Sequence, residues 1–534
     1  MQRRFTFAGK ERHLHIMRKF AFLLVILLSL LTACSPAGVA EVVTEDMSWT
    51  QLLEYKMSML ETQEADESTP VTCRTWYQVF VYSFYDSDGD GIGDINGVTE
   101  RLDYIESMGF NGIWLSPIHP SSTYHKYNVR DYYDIDPEYG TLDDFDALIE
   151  ACHARGIHVI LDMVVNHSDL NHPWFTEHPE YYMIADEPVS GGWSRLPDGR
   201  YYECRFWDQM PDFNLENADL RSAFDKVFEF WLGRGADGFR LDAVGEYVTG
   251  NISKNIEILA WINNSVKAIK PDAYLVGEYW DTTDTVYKYY DSGIDSLFSF
   301  PFAGPSGYLS SLLLKDDFTM DEFLQRTVNA CEAIASANPG ATDAPFLTNH
   351  DMARASGFLR RDINIIKTAW GVMLTQPGNA FVYYGEELGM SGSGRDENKR
   401  APMFWTAEED APGMAFGPPG MEEVTHGFLP AVEQVGNPKS IYTYVREAVL
   451  LRERYPHISS GSFEVIHVDA GDKAGAVLRT WQGSSITIVY NVSSEETRFA
   501  LRGTISGVLS AKGEQPRQEG DTLILPGYCI VVLS

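Results

Sequence analysis

From Thr75 onward, short apolar runs alternate with amphipathic stretches. The runs Gln78–Phe84, Gly112–Leu115, His158–Val164, Gly238–Leu241, Tyr274–Val276, Ser296–Phe298, Phe346–Leu347 and Phe381–Tyr384 each predict a strand. Between them, helical spacing is clear. In Thr141 to Arg155, the residues Leu142, Phe145, Leu148, Ile149 and Cys152 share one face. Thr141 and Asp144 supply a capping-box start, and Gly156 a stop. Gly97 to Met108 turns Val98, Leu102 and Ile105 inward, with Gly109 ending it. Near-continuous apolar strands alternating with helices predict a parallel sheet. Eight such units predict an α/β fold, a (β/α)8 TIM barrel. The pattern alone leaves a doubly wound sheet as a competitor.

Two changes of texture divide the chain. Residues 168–210, after the third strand, carry aromatics, Gly and Pro but no helical period. A long irregular segment there predicts a small inserted domain at the C-terminal rim, where barrel active sites lie. After residue 454, Ser462–Val468, Ala476–Trp481, Ser485–Tyr490, Arg498–Leu501 and Thr522–Leu533 read as short strands between turns. They predict a C-terminal all-β sandwich domain over 455–534, leaving the barrel residues 71–167 and 211–454.

The N-terminus has a different pattern. Met17-Arg18-Lys19 is basic, and Phe20 to Leu31 is almost wholly apolar. That run is too short to span a bilayer comfortably and predicts a signal peptide over residues 1–33, with 1–16 an upstream extension. Leu31-Thr32-Ala33-Cys34 resembles a bacterial lipobox, which predicts lipidation of Cys34 and anchoring to the extracytoplasmic face of the cell membrane. Residues 34–70 read as a tether containing one possible helix, Trp49 to Leu60. A small extension packed on the main domain is the alternative. The other five cysteines show no metal-like spacing, and their odd number predicts at least one free thiol.

The formal charge of -34 argues against nucleic acid as a partner, whose phosphates need a basic surface. It suits a neutral substrate. No glycine loop is placed to cradle phosphates, so no organic cofactor is expected. Polar residues do stand just beyond the apolar runs. Strand three leads from Asp162 to Asn166-His167, strand four ends Arg240-Leu241-Asp242, strand five ends Gly277-Glu278, and strand seven ends Asn349-His350-Asp351. Together they gather acids, an Arg and two His at one rim. Arg240, two residues before Asp242, shares its strand face.

These segments resemble the four signature regions of glycoside hydrolase family 13, the α-amylase family, over roughly Trp76 to the C-terminus. The resemblance implies a retaining hydrolase of α-1,4-glucosidic bonds in starch, maltodextrins and maltooligosaccharides. It implies Asp242 as nucleophile, Glu278 as general acid/base and Asp351 as the third acid. It further implies that His125, Tyr127, His167, Arg240 and His350 contact the sugar or the nucleophile. Alternatives are an exo-acting α-glucosidase or oligo-1,6-glucosidase, a transglycosylase on the same site and, more remotely, a non-catalytic sugar-binding lipoprotein. Met210-Pro211-Asp212-Phe213-Asn214 resembles the fifth region in its intermediary form, a group that includes lipid-anchored α-amylases. Two departures stand out: Gly245 and Glu246 replace a frequent Lys-His pair, and Ala243 stands where α-1,6-cleaving members tend to have Val.

Asp86-Ser-Asp88-Gly-Asp90-Gly-Ile92-Gly-Asp94 spaces hard oxygen donors as a Ca2+ loop does. Asp86, Asp88, Asp90, Asp94 and the Ile92 carbonyl are the candidate ligands of a structural Ca2+. Asn166 is a weaker candidate for a second calcium. Tyr383 to Glu387 resembles the family's eighth strand and reads as structural.

Overall fold

The computed structural model describes residues 47–60, 74–189, 191–408 and 410–534. The signal-peptide and Cys34 expectations lie outside them. Among the described residues, no helix is long and apolar enough to cross a membrane.

Seven parallel strands curl into one sheet: β1 (Thr75–Val79), β2 (Gly112–Leu115), β3 (His158–Met163), then, after three short inserted strands, β7 (Gly238–Leu241), β8 (Tyr274–Gly277), β9 (Ser296–Leu297) and β10 (Ala380–Tyr383). The order is β10-β1-β2-β3-β7-β8-β9. Two single bridges, Phe298 to Ala344 and Phe346 to Phe381, carry the segment 344–346 between the sheet's edges and close the barrel. The expected strand at Phe346–Leu347 is therefore present as bridging backbone, too short to count as a regular strand. The first strand also differs from expectation. It starts at Thr75, and Val81–Ser83 is a 3-10 turn. The apolar run continues past the strand because these turn residues are buried too.

Strand alternation sorts the side chains. Tyr77, Ile113, Val159, Phe239 and Leu275 pack outward under the helices. Trp76, Trp114, Ile160, Tyr274, Val276, Phe298, Phe346 and Phe381 fill the barrel. The helix Leu142–His153 starts on the expected Thr141–Asp144 capping box and buries Phe145, Leu148, Ile149 and Cys152. The Gly97–Met108 stretch is two short helices, Ile95–Glu100 and Leu102–Ser107, the first capped by Asp94. Cys152, Cys204, Cys331 and Cys529 are all free thiols.

After β3, the strands β4 (Ile184–Ala185), β5 (Trp193–Arg195) and β6 (Tyr201–Glu203) form a small antiparallel sheet. At the C-terminus, β11 (Glu464–Ile466), β12 (Ala474–Trp481), β13 (Ser484–Asn491), β15 (Ile505–Ser510) and β18 (Cys529–Leu533) make a five-stranded sheet. Strands β14 (Thr497–Phe499), β16 (Arg517–Glu519) and β17 (Thr522–Leu525) make a second sheet of three. The predicted run Thr522–Leu533 is thus two strands in different sheets. Pro526 cannot donate to a ladder, and Tyr528 at φ 58° turns the chain between them.

Residues 49–58 are not a free tether. The helix Trp49–Ser58 buries Trp49 and Leu53, and the Trp49 Nε1 donates to the Pro412 carbonyl at 3.1 Å. The Trp49 ring lies 6.3 Å from that of Trp405, tilted by 25°.

At the N-terminal end of the barrel, Asp237 is 4% exposed and faces His153 Nε2 at 2.8 Å, His158 Nδ1 at 3.2 Å and Lys270 Nζ at 2.8 Å. Burial pushes its carboxyl up, but hydrogen bonds from both imidazoles and the His158 and Lys270 charges overcome this and hold it well below the usual range. Its stabilisation is therefore full above the unfolded Asp value of about 3.9 and fades as pH falls below it. Asp237→Asn is expected to cost about 3 kcal/mol of unfolding free energy at pH 7, and less at pH 3, by chemical denaturation.

Candidate active site

The polar rim grows out of the barrel interior. In β7, Arg240 pairs in register with Asp162 of β3 and Val276 of β8, so its side chain points inward. Asp242, two residues on, faces the same way just above it. The Arg240 side chain is 1% exposed, and Nη1 donates to Asp162 Oδ1 at 2.7 Å and to Asp242 Oδ1 at 2.6 Å. Nη2 stands 2.9 Å from Glu278 Oε2. The backbone N–H of Ala243 also donates to Glu278 Oε2, at 3.2 Å. One guanidinium thus holds three carboxyls.

One cation cannot neutralise three carboxylates, so this group titrates as a unit and retains a proton near neutrality. Burial raises Glu278 to about 6, against the pull of Arg240 and with the push of Asp242 and Asp351. Burial raises Asp162 to about 7 against the same Arg240. Burial also lifts Asp242, opposed by Arg240 and by a side-chain hydrogen bond from Glu278. Asp351 is the opposite case. Burial works against its charge, yet His350 Nε2 at 3.0 Å and Arg400 Nη2 at 2.8 Å hold it well below the usual range.

The histidines are neutral. Burial lowers His125 to about 3 and His167 to about 4, and it lowers His350 as well. The Tyr127 N–H reaches His125 Nδ1 at 3.2 Å, which leaves Nε2 to carry the proton. His167 Nε2 lies 3.2 Å from the Tyr127 carbonyl. Tyr127 OH is 2.9 Å from Asp162 Oδ2 and 2.6 Å from His350 Nε2. Gln78 Nε2 lies 2.7 Å from His350 Nδ1. A cleft of about 470 Å³ opens over these groups. His125, Tyr127, His167, Asp242, Glu278 and Asp351 all line it, while Arg240 and His350 lie beneath as supports. All eight rim residues expected from the sequence therefore converge.

Several functional groups were not singled out by sequence. Asp162 sits in an apolar run and reads as a strand residue, yet it accepts bonds from Arg240, Tyr127 and the Trp114 indole. Arg400 had no assigned role, yet it grips Asp351. Phe206, Trp207 and Trp280 line the cleft at 50%, 47% and 60% exposure, and only folding reveals that exposure. The two departures from the family pattern have local causes. A Cβ at Gly245 would stand 2.3 Å from the Tyr279 ring, so no lysine fits there. Glu246 instead pairs with Arg205 at 3.0 Å, tying the β7 loop to the inserted segment. Ala243 adopts φ 46°, a conformation costlier for a β-branched residue.

In the acidic loop after β1, carboxylate oxygens of Asp86, Asp88 and Asp94 lie within 4.8 Å of one another. Asp90 is outside that group; its Oδ1 accepts from the Ile92 N–H at 2.8 Å. Three hard oxygens from two buried acids and one exposed one fit a divalent cation of the Ca2+ type better than a soft metal. Asn166 Nδ2 donates to Asp212 Oδ1 at 3.0 Å, so its amide braces the inserted segment.

A family model described as "Alpha amylase, catalytic domain" matches residues 78–461. The chain is 35% identical to Alpha-amylase 3 of Dictyoglomus thermophilum over 480 residues, covering 86% of this chain and 92% of that protein. It is 28% identical to a glucan 1,6-alpha-glucosidase of Streptococcus pneumoniae over 81% of this chain and 93% of that protein. Among solved structures, Eubacterium rectale Amy13B superposes with a TM-score of 0.85 at 40% identity, covering 90% of this chain and 98% of that one. The alpha-amylase of H. orenii gives a TM-score of 0.77 at 34% identity, over 86% and 99%. A closed parallel barrel, a rim of acids on a buried arginine and these relatives agree: the chain belongs to the α-amylase family and is a glycoside hydrolase.

Proposed function

We propose that this enzyme hydrolyses α-1,4-glucosidic bonds of starch, maltodextrins and maltooligosaccharides with retention at the anomeric carbon. The observation that carries the reading is the sharing of Arg240 by Asp242 and Glu278. Carboxyls held on one guanidinium, with Glu278 also hydrogen-bonded to Asp242, are neighbours, as a double displacement needs. Asp242 attacks the anomeric carbon while Glu278 gives its proton to the departing glycosidic oxygen. Glu278, now ionised, takes a proton from water, whose oxygen displaces Asp242 from the sugar. Arg240 stabilises Asp242 as a leaving carboxylate in that second step. Asp351, kept ionised by His350 and Arg400, accepts hydroxyl hydrogens of the sugar. The neutral His125 and His167 bond hydroxyls without adding charge, and Tyr127, which lines the same cleft, offers its ring for the sugar to stack on. Ala243 follows Asp242 where α-1,6-cleaving members of the family tend to have Val, which favours α-1,4 over α-1,6 cleavage. The test is a product time-course on soluble starch and maltoheptaose with Asp242→Asn as the blank. Mixed maltooligosaccharides that vanish in the variant are expected. Glucose alone from the outset would transfer the assignment to an α-glucosidase, and no release from either would overturn it.

The acidic loop is proposed as a structural Ca2+ site, with Asp86, Asp88 and Asp94 as side-chain ligands and Asp90 and the Ile92 carbonyl adjacent. Burial raises Asp94, a cost that a cation would remove. A chelator is expected to lower the melting temperature by several degrees, restored by added Ca2+. An unchanged melting curve and no calcium by elemental analysis would remove the site.

Lipidation of Cys34, with the enzyme held on the outer face of the cell membrane, rests on the lipobox-like tetrad. Cys34→Ala is expected to move the protein from the membrane to the soluble fraction; retention on membranes would end that reading.

A further inference from the structure

Asp351 and Arg400 stand on two different loops, one following the bridging segment 344–346 and one following β10. Their 2.8 Å contact needs those loops held in register. Two residues that do not line the cleft reach between the loops in opposite directions.

Arg354 starts from the Asp351 loop and is 1% exposed. Its Nε donates to the Lys399 carbonyl at 3.1 Å, and its Nη1 donates to the Tyr384 carbonyl. Its backbone N–H donates to the Gly392 carbonyl at 2.9 Å. The buried Glu386 faces the guanidinium at 3.5 Å and accepts from the Ala355 N–H at 3.2 Å. The guanidinium lies 4.3 Å from the centre of the Tyr383 ring and 4.7 Å from that of Tyr384. Gly392 makes room for this, because a Cβ there would stand 2.3 Å from the Asn398 carbonyl and 3.2 Å from Arg354 Cγ. A planar fork bonded and stacked in this way is fixed in one orientation.

Lys399 starts from the other loop. Its Nζ donates to the Asp351 carbonyl at 2.9 Å and pairs with Asp396 at 2.7 Å. Its own carbonyl accepts from Arg354 and from the Tyr383 hydroxyl at 3.3 Å. Each loop therefore holds the backbone of the other, at the third acid on one side and just before Arg400 on the other. Arg400 follows and donates to the His350 carbonyl at 3.3 Å and to the Tyr124 hydroxyl at 2.9 Å, besides Asp351.

We propose that Arg354 and Lys399 are positioning residues, a reciprocal clasp that sets Asp351 against Arg400 and so fixes how that carboxylate meets the sugar. The proposal rests on the hydrolase reading above and deepens it. Placement matters at this distance, since a shift of about 1 Å in a group that acts in the transition state can lower turnover about 10²-fold.

The test measures kcat/KM on maltoheptaose for Arg354→Lys and Lys399→Met, each alone and each combined with Arg400→Gln. Rates are taken at a temperature where circular dichroism shows every variant folded. Arg354→Lys keeps a charge facing Glu386 but gives up the fork of bonds to Lys399 and Tyr384. Lys399→Met keeps the stem and gives up the bond to Asp351. Each is expected to lower kcat/KM about tenfold alone, but less than about twofold beside Arg400→Gln, where the contact it aligns is already gone. Lys399→Arg, which still donates to the Asp351 carbonyl, is expected to retain most of the activity that Lys399→Met loses. No release of sugar by the unaltered enzyme would defeat the hydrolase reading, and the clasp with it. With the unaltered enzyme active, unchanged single variants would overturn the clasp alone. So would equal losses with and without Arg400→Gln, the result that loosened packing gives.

Discussion

Glu278→Gln is expected to lower kcat on maltoheptaose by about 10³-fold, with the fold and melting temperature retained. The amide keeps the shape and the bond from the Ala243 N–H but has no proton to give the departing oxygen. Burial sets the pH dependence. With Glu278 raised to about 6, the free enzyme loses its protonated acid as pH rises through that value. The alkaline limb of kcat/KM is therefore expected near pH 6, and it should disappear from the residual activity of the variant. A variant that retained both the limb and most of its turnover would move the acid/base role elsewhere.

Arg240→Met is expected to have the next largest effect, on both stability and turnover. The guanidinium is buried under the cleft and touches Asp162, Asp242 and Glu278. Its loss leaves three buried carboxyls without a cation, at a cost of about 3–5 kcal/mol at pH 7. The sign with pH follows from the same count. The variant protonates these acids to relieve the repulsion, so its stability deficit narrows as pH falls. Turnover is expected to be abolished, because Asp242 without its partner holds a proton and cannot attack. Urea unfolding at pH 7 and pH 5 reads the first effect and initial rates the second. A deficit that widened at pH 5 would contradict the account of the rim.

The sequence made the barrel and the rim legible for a definite reason. Strand residues two apart share a face, so Arg240 and Asp242 could be placed together before any fold was known. The capping box at Thr141 and Asp144 was equally readable, because it is local. What escaped was set by distant contacts. Phe346 belongs to the barrel through one bridge to Phe381, and no short-range pattern distinguishes that from a regular strand. Residues 49–58 looked like part of a tether, but Trp49 finds its partners at Trp405 and Pro412, more than three hundred residues away. Asp162 hid inside an apolar run because its neighbours face the helices while it faces Arg240. Trp280 was silent because an aromatic in a loop usually packs, and only its backing by Phe300 turns its other side outward. Asp90 failed to join the acidic group, since regular spacing along a loop does not ensure that its side chains converge.

The central claim is a double displacement on an α-1,4 bond, and the anomeric form of the first product reads it directly. Proton NMR of maltoheptaose during the first turnovers, before mutarotation, is the measurement. The account predicts that new reducing ends appear first as the α-anomer and equilibrate later. Reducing ends that appear first as the β-anomer would mean a single displacement by water, and would contradict the assignment of Asp242 as nucleophile.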